Sequence, residues 1–341
     1  MESPSRKLRR TANACAACRL TDSSSRPEEL PAIRNVDDAP NIIWTSPFSK
    51  PSTTIKSGYK NKRNWTWLAP SSMWSFTARL TILLSEKLNL EYSAPNSFGE
   101  DVYSLKWSPL GADCTPDTSG LPSIDHALYL METVKFNLGQ NYRFFDEGEF
   151  VKHMREFYFG DPVAKASECR LWFVQFLLVL AFGKAFLSRP SNTKDPPAAS
   201  LFIRAMSLMP EMTSLWKDSL IAIEVLALAG LFLYSIDYRE SAHVFVGQAI
   251  RIAQLEGLHT QLPEDELGVN VVVRCRNLWW TLYIIDRHFS SSLGLPMSTP
   301  DSDITALIDS TSSTAPQRDS LLSLQVRISR QLSFILKSKS T

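Results

Sequence analysis

Two thiols near the start of the chain, Cys15 and Cys18, are separated only by Ala16 and Ala17 and are followed by Arg19. Thiolates at this spacing can grip one metal ion from a single turn, and zinc suits such ligands. A redox dithiol uses the same spacing, but it opens a helix after a buried strand, and no strand-like run precedes Cys15. Zinc needs four ligands; the next cysteine is Cys114, and no histidine lies nearby. By itself the pair reads as half of a metal site, a redox pair or a pair without function.

A second group lies far along the chain. In Arg274-Cys275-Arg276-Asn277-Leu278-Trp279-Trp280-Thr281-Leu282-Tyr283-Ile284-Ile285-Asp286-Arg287, the residues Trp279, Leu282, Tyr283 and Asp286 share one helix face. A carboxylate on an aromatic face is costly to bury unpaired, so Asp286 is expected to pair with Arg274, Arg276 or Arg287. Arg276 precedes Trp280 by four residues, which allows the guanidinium to stack on the indole. Arg276, Trp279, Trp280, Tyr283 and Asp286 therefore either lock helix packing or line a groove for a small effector or a partner. His259, after Gly257 and Leu258, is expected to cap helix-end carbonyls. Asp286 and His288 are two residues apart and point apart on a helix, so they form no acid–base pair. Glu147 and Glu149 suit the solvated side of a helix start, where the dipole favours them. There is no Gly-x-Ser-x-Gly, His-Glu-x-x-His, phosphate-cradling glycine loop or dinucleotide fingerprint. No carboxylate clusters suit facing helices of an all-helical enzyme. No catalytic residue is expected, and the chain is read as a non-enzyme.

The elements that must position these residues are helical. Between Leu121 and about Ile308 apolar residues recur every three to four positions, with short Gly or Pro breaks. Helices are expected at 123–138, 147–158, 168–187, 199–209, 216–236, 238–256 and 270–289, with a last amphipathic segment at 319–336. Ala242, Phe245, Val246, Ala249 and Ala253 make the stripe of one of them, and Gly257 follows as its C′ residue. The runs Leu171–Leu187 and Leu220–Ile236 reach the short end of membrane-spanning length. They contain Gln175, Lys184 and Glu224, which are expensive in a bilayer, so they are read as buried core helices and no membrane is expected. Eleven of the 20 prolines fall within residues 1–122. Residues 22–64 show no sustained period and read as linker or disorder, and one helix near 71–90 is expected, capped by Ser71 or Ser72. The basic N-terminus has no apolar run behind it and does not resemble a secretory signal.

The chain has 341 residues, 44% hydrophobic and 21% charged, with a net charge of +1. That is globular composition with no global basic field for nucleic acid. Five cysteines do not make a disulfide scaffold.

Two stretches resemble one known family. Arg10 to Arg19, with its Cys15-Ala16-Ala17-Cys18, resembles the opening of the fungal zinc binuclear cluster of transcription factors. In that family six cysteines hold two zinc ions, and a basic run docks a short helix into DNA. Here Ser25 stands where the third cysteine should fall, and Leu20-Thr21-Asp22-Ser23-Ser24 replaces the basic run. The remnant, residues 1–25, keeps Cys15 and Cys18 as metal ligands, and Arg9, Arg10 and Arg19 as weak DNA contacts. The zinc implied by the resemblance is not expected as an intact cluster.

The second stretch combines Arg251-Ile252-Ala253-Gln254-Leu255-Glu256-Gly257-Leu258-His259, the block Arg274–Arg287, Ser290–Pro296, Asp301 and Asp303-Ile304. It resembles the fungal-specific transcription factor regulatory domain, the middle homology region. Trp65–Arg79 resembles the segment preceding that domain. The resemblance implies an all-α, multi-helix regulatory domain at 121–310 behind a largely disordered N-terminal arm. It has a linker at 26–120 and a C-terminal helix or tail at 311–341. It also implies a nuclear transcription regulator of a metabolic or biosynthetic gene set, with DNA, other transcription factors or a second copy as partners. The broken cluster makes DNA doubtful and raises the alternative of a DNA-binding-deficient module that modulates a full-length factor. The resemblance implies that family members usually continue well past this domain, further than residue 341 of this sequence.

Overall fold

Among the described residues of the computed structural model, helices and one small sheet follow from local capping and apolar pattern. These residues are 53–56, 65–70, 72–88, 103, 105–111, 113–189, 195–211, 213–308 and 317–337. Strand β1 (Thr53–Lys56) pairs antiparallel with β2 (Trp65–Leu68), Thr53 opposite Leu68 and Lys56 opposite Trp65. By sequence alone β1 falls in linker; a four-residue strand is too short to show a period-two alternation. The expected disorder of the N-terminal arm falls mostly outside the described residues.

Helix α1 (Met73–Lys87) begins after Ser72, an extended residue whose hydroxyl accepts the Ser75 N–H at 3.0 Å. Arg79 of α1 donates to the Leu68 carbonyl at 3.3 Å, tying helix to strand. The next helices are α2 (Ile124–Asn137), α3 (Glu147–Phe159), α4 (Pro162–Glu168) and α5 (Arg170–Leu187). Asp146 caps α3 through the Glu149 N–H at 2.8 Å. Asp161 caps α4 through the Val163 and Ala164 N–H groups, with Pro162 in the first turn, where its missing N–H costs nothing. The helix expected at 168–187 is present as α5, starting two residues later, and α4 before it is an additional helix. The backbone leaves helical geometry at Cys169 (φ −109°, ψ 56°), so α4 and α5 are separate. Asp161-Pro162 was the available signal.

Helices α6 (Ala199–Ser207), α7 (Ser219–Ser235), α8 (Arg239–Leu255), α9 (Glu264–Leu267), α10 (Val269–Leu293) and α11 (Gln317–Lys337) complete the set. Between α7 and α8 the chain turns on Asp237 (φ 70°), a residue type that tolerates the left-handed region. The Tyr238 N–H there returns to the Leu233 carbonyl at 2.9 Å. Helix α8 ends as expected on Gly257 (φ +71°). Leu258 and Gly257 donate back to the Ala253 and Gln254 carbonyls at 2.9 and 3.1 Å, a Schellman closure.

Helices α5 and α7 form the centre. Leu171 to Gly183 of α5 is buried without a break, as is Ala222 to Gly230 of α7. Helix α5 packs on α2, α6 and α7; α7 pairs with α8; and α10 packs on α8, α11 and α1. Arg170–Leu187 and Leu215–Ser235 are long and apolar enough to cross a membrane, but 72% and 61% of them lies inside the fold. Their all-round apolar surfaces are covered by neighbouring helices. Close helix approach sets the glycines: a Cβ on Gly183 would lie 2.8 Å from the Leu130 carbonyl oxygen of α2. One continuous core runs from Leu105 to Val326.

Candidate functional site

Helix α10 carries the densest polar chemistry of the core. From Leu278 to Arg287 every residue is buried. Arg287, 1% exposed, donates to Asp286 Oδ2 at 2.6 Å, to the Thr299 carbonyl at 2.6 Å and to Asp301 Oδ1 at 2.9 Å. Its guanidinium sits 4.1 Å from the centroid of the Tyr283 ring, and the Tyr283 hydroxyl donates to Asp301 Oδ1 at 2.8 Å. Asp286 also accepts from the Ser298 N–H at 3.1 Å and hydroxyl at 2.5 Å. Gln254 of α8 donates to Thr299 Oγ1 at 2.9 Å. A buried charge is tolerated only when paired and hydrogen-bonded, and each charge here meets several partners. The knot fastens the segment 298–301 to α10 and α8. Burial opposes the charge on Arg287, but the bond to Asp301 and the neighbouring Tyr283 and Asp286 outweigh it and raise its pKa. Burial likewise pushes the Tyr283 hydroxyl up.

A second polar network crosses the core. Gln175 of α5 donates to Glu224 Oε2 of α7 at 2.8 Å. Arg274 of α10 meets Glu224 Oε1 at 2.8–2.9 Å and Glu149 of α3 at 2.5 Å. Burial pushes the Glu224 carboxyl up to about 7, against the pull of Arg274 and of the hydrogen bond from Gln175. In the sequence Gln175 and Glu224 stand out only as residues too polar for a bilayer. Two polar residues inside apolar runs were the signal that α5 and α7 face each other there.

The residues singled out from sequence separate in space. Arg287, not Arg274 or Arg276, pairs with Asp286. The expected stacking of Arg276 on Trp280 is absent; the aromatic face under a guanidinium is that of Tyr283 beneath Arg287. Trp279, Trp280 and Tyr283 are at most 2% exposed, so of the two alternatives no groove is open along them and they pack inside the core. Helix α10 is covered on every side at that level, so one helix face could not stay open. Trp280 instead donates to the Leu307 carbonyl at 2.9 Å and meets Tyr283 edge-on at 5.3 Å. The ring of His259 lies 5.6 Å from that of Trp279, and its buried Nδ1 has no hydrogen-bond partner. The capping role expected of its side chain is thereby corrected: the His259 backbone carbonyl does the fastening, accepting from the Thr305 and Ala306 N–H groups at 3.0 and 3.1 Å. Glu147 and Glu149 sit exposed at the start of α3 as expected, and they also pair with Lys135 and Arg274. Cys15, Cys18, Arg9, Arg10 and Arg19 lie outside the described residues. Among the described residues no group of three His, Cys, Asp or Glu is placed to hold a metal ion.

Arg276 faces elsewhere. It lines a cavity of about 340 Å³ with Leu258, Leu262, Val272, Leu307, Glu264 and Asp265.

A model of the fungal specific transcription factor domain matches residues 140–313. The chain belongs to that family. The matched region begins before α3 and runs past the knot on α10, so the family domain contains both polar networks. A transcriptional regulatory protein of Schizosaccharomyces pombe is 28% identical over 136 residues, covering 39% of this chain and 17% of its own length. The thiamine repressible genes regulatory protein of the same organism is 26% identical over 225 residues, covering 63% of this chain and 29% of its own. An ABC-transporter-regulating transcription factor of Aspergillus oryzae is 24% identical over 187 residues, covering 54% and 20%. The chain thus spans less than a third of the length of these relatives. No solved structure matches.

Proposed function

We propose that this chain is a nuclear transcription regulator whose helical domain, at 121–310, controls a metabolic or biosynthetic gene set. The observation that carries the reading is the match of the family domain across 140–313. Relatives named as transcriptional regulators support the regulatory part of the reading. In this reading the domain presents a surface to other regulators or to a second copy of itself, no membrane is involved and no reaction is catalysed.

The second reading, a DNA-binding-deficient module that modulates a full-length factor, is favoured by one sequence feature. Cys15 and Cys18 supply half of a tetrahedral zinc set, and Ser25 stands where the next ligand would fall. Arg9, Arg10 and Arg19 would give only salt-sensitive, sequence-blind contacts.

Fusion of the chain to an unrelated DNA-binding domain, in a fungal cell carrying a matching reporter, tests the reading. Reporter output is expected to change relative to the DNA-binding domain alone; unchanged output from a nuclear, folded fusion would overturn it. Zinc titration of the full chain separates the two versions. Stoichiometric tetrathiolate binding would contradict the DNA-deficient one.

A further inference from the structure

We propose that the cavity at Arg276 binds a small zwitterion with an apolar body, of the α-amino-acid class. Its walls come from three places: the turn after α8 with Leu258 and Leu262, the first turns of α10 with Val272 and Arg276, and the returning strand of chain with Ala306 and Leu307. Backbone and side-chain hydrogen bonds hold these walls together without a ligand. The His259 carbonyl takes the Thr305 and Ala306 N–H groups, and the Gln261 N–H donates to Thr305 Oγ1 at 3.2 Å. Trp280 holds the Leu307 carbonyl at 2.9 Å. A preformed concave site of this size suits a small molecule; its exposed lining is more polar than apolar, with Leu258, Leu262, Val272 and Leu307 as its apolar part.

The charges give the ligand its chemistry. Arg276 is half-buried, and among the described residues its side chain makes no hydrogen bond or ion pair. Glu264 and Asp265, exposed on the short helix α9, line the same cavity and are likewise without an ion pair. Opposite charges therefore share one cavity and stay more than 4.0 Å apart, the limit for an ion pair. A molecule carrying both charges spans such a gap. Its carboxylate would meet the guanidinium fork, which matches carboxylate geometry. Its ammonium would face Glu264 and Asp265, and its side chain would lie against Leu258, Val272 and Leu307. A simple anion would meet the two acids, and a simple cation would meet Arg276, so each is selected against.

The test is calorimetric titration of the purified full chain with L-leucine, L-methionine and L-phenylalanine, alongside 4-methylpentanoate and leucinamide, which each lack one charge of leucine. At least one of the amino acids is expected to bind. The single-charge analogues of leucine, or Arg276→Gln, or Glu264→Gln with Asp265→Asn, are expected to weaken the binding by about tenfold or more, the scale of one lost charge-assisted bond. Glu264 and Asp265 are exposed and Arg276 is half-buried, and thermal unfolding of each variant shows whether it keeps the fold. The proposal is overturned if none of the three amino acids binds, if 4-methylpentanoate binds as tightly as leucine, or if a folded Arg276→Gln chain binds unchanged. Binding is read without transcription, so its failure leaves the regulatory reading standing, and the reverse holds too.

Discussion

Arg287 and Glu224 show how a buried charge in this chain lives or fails with its partners. Arg287 satisfies Asp286, Asp301 and Thr299 at once. Replacing it by methionine leaves the buried Asp286 carboxylate without its charge partner and the partly exposed Asp301 without one of its donors. Urea unfolding of Arg287→Met is expected to show a loss of about 3–5 kcal/mol, the scale for breaking one side of a buried pair. Glu224 behaves differently because its carboxyl is pushed up to about 7 from 4.5. Between those values the folded chain holds a proton that the unfolded chain has released, so stability falls as pH rises through that window. The drop from this group is about 3 kcal/mol, at about 1.4 kcal/mol per unit. Stability measured by denaturant at pH 5 and pH 7 is expected to show this slope. Glu224→Gln, which keeps a partner for Gln175, is expected to flatten it.

Among the elements, α5 and α7 carry the fold by touching their neighbours closely. A methyl at Gly183 would lie 2.8 Å from the Leu130 carbonyl oxygen and 3.0 Å from its Cα, which are backbone atoms of α2 that cannot swing aside. Gly183→Ala is therefore expected to destabilise by about 1–3 kcal/mol, the range for overpacking, although alanine is the better helix former. A lowered denaturation midpoint at unchanged slope checks this, because the change strains the folded state and not the unfolded chain. Most of these helices were legible in sequence, since Ala242, Val246, Ala249 and Ala253 keep one face of α8 apolar. Helix α4 and strand β1 were not: seven and four residues give a period too little length to show. The short helix α9, which carries two acids of the cavity wall, escaped for the same reason.

For the whole molecule, the continuous core from Leu105 to Val326 excludes Leu68, Ala69 and Ala78, the buried hydrophobic residues of β2, its flank and α1. Deleting residues 1–90 is expected to preserve one cooperative unfolding transition, with tryptophan fluorescence and far-ultraviolet circular dichroism coincident. Deleting residues 317–341 is expected to lower its midpoint, because Leu322 and Val326 of α11 belong to that core. Separated transitions in the first case would show that α1, which packs on α10, is part of the cooperative unit.

The all-helical class, the burial of the two long apolar runs and the family were set by the sequence alone. Helical period is a property of neighbouring residues, and the Trp-Trp, Tyr-x-x-Asp-Arg and Gly-Leu-His spacings are written in one dimension. The tertiary structure decided which arginine Asp286 meets, that Trp279, Trp280 and Tyr283 are sealed, and that Arg276 opens on a cavity instead. Arg274, Arg276 and Arg287 are the same residue type on one helix. What separates them is the segment that comes back onto each: Glu224 and Glu149 at Arg274, the 298–301 turn at Arg287, and the 304–308 return beside Arg276. Those contacts join positions up to 125 residues apart, and local spacing holds no record of them.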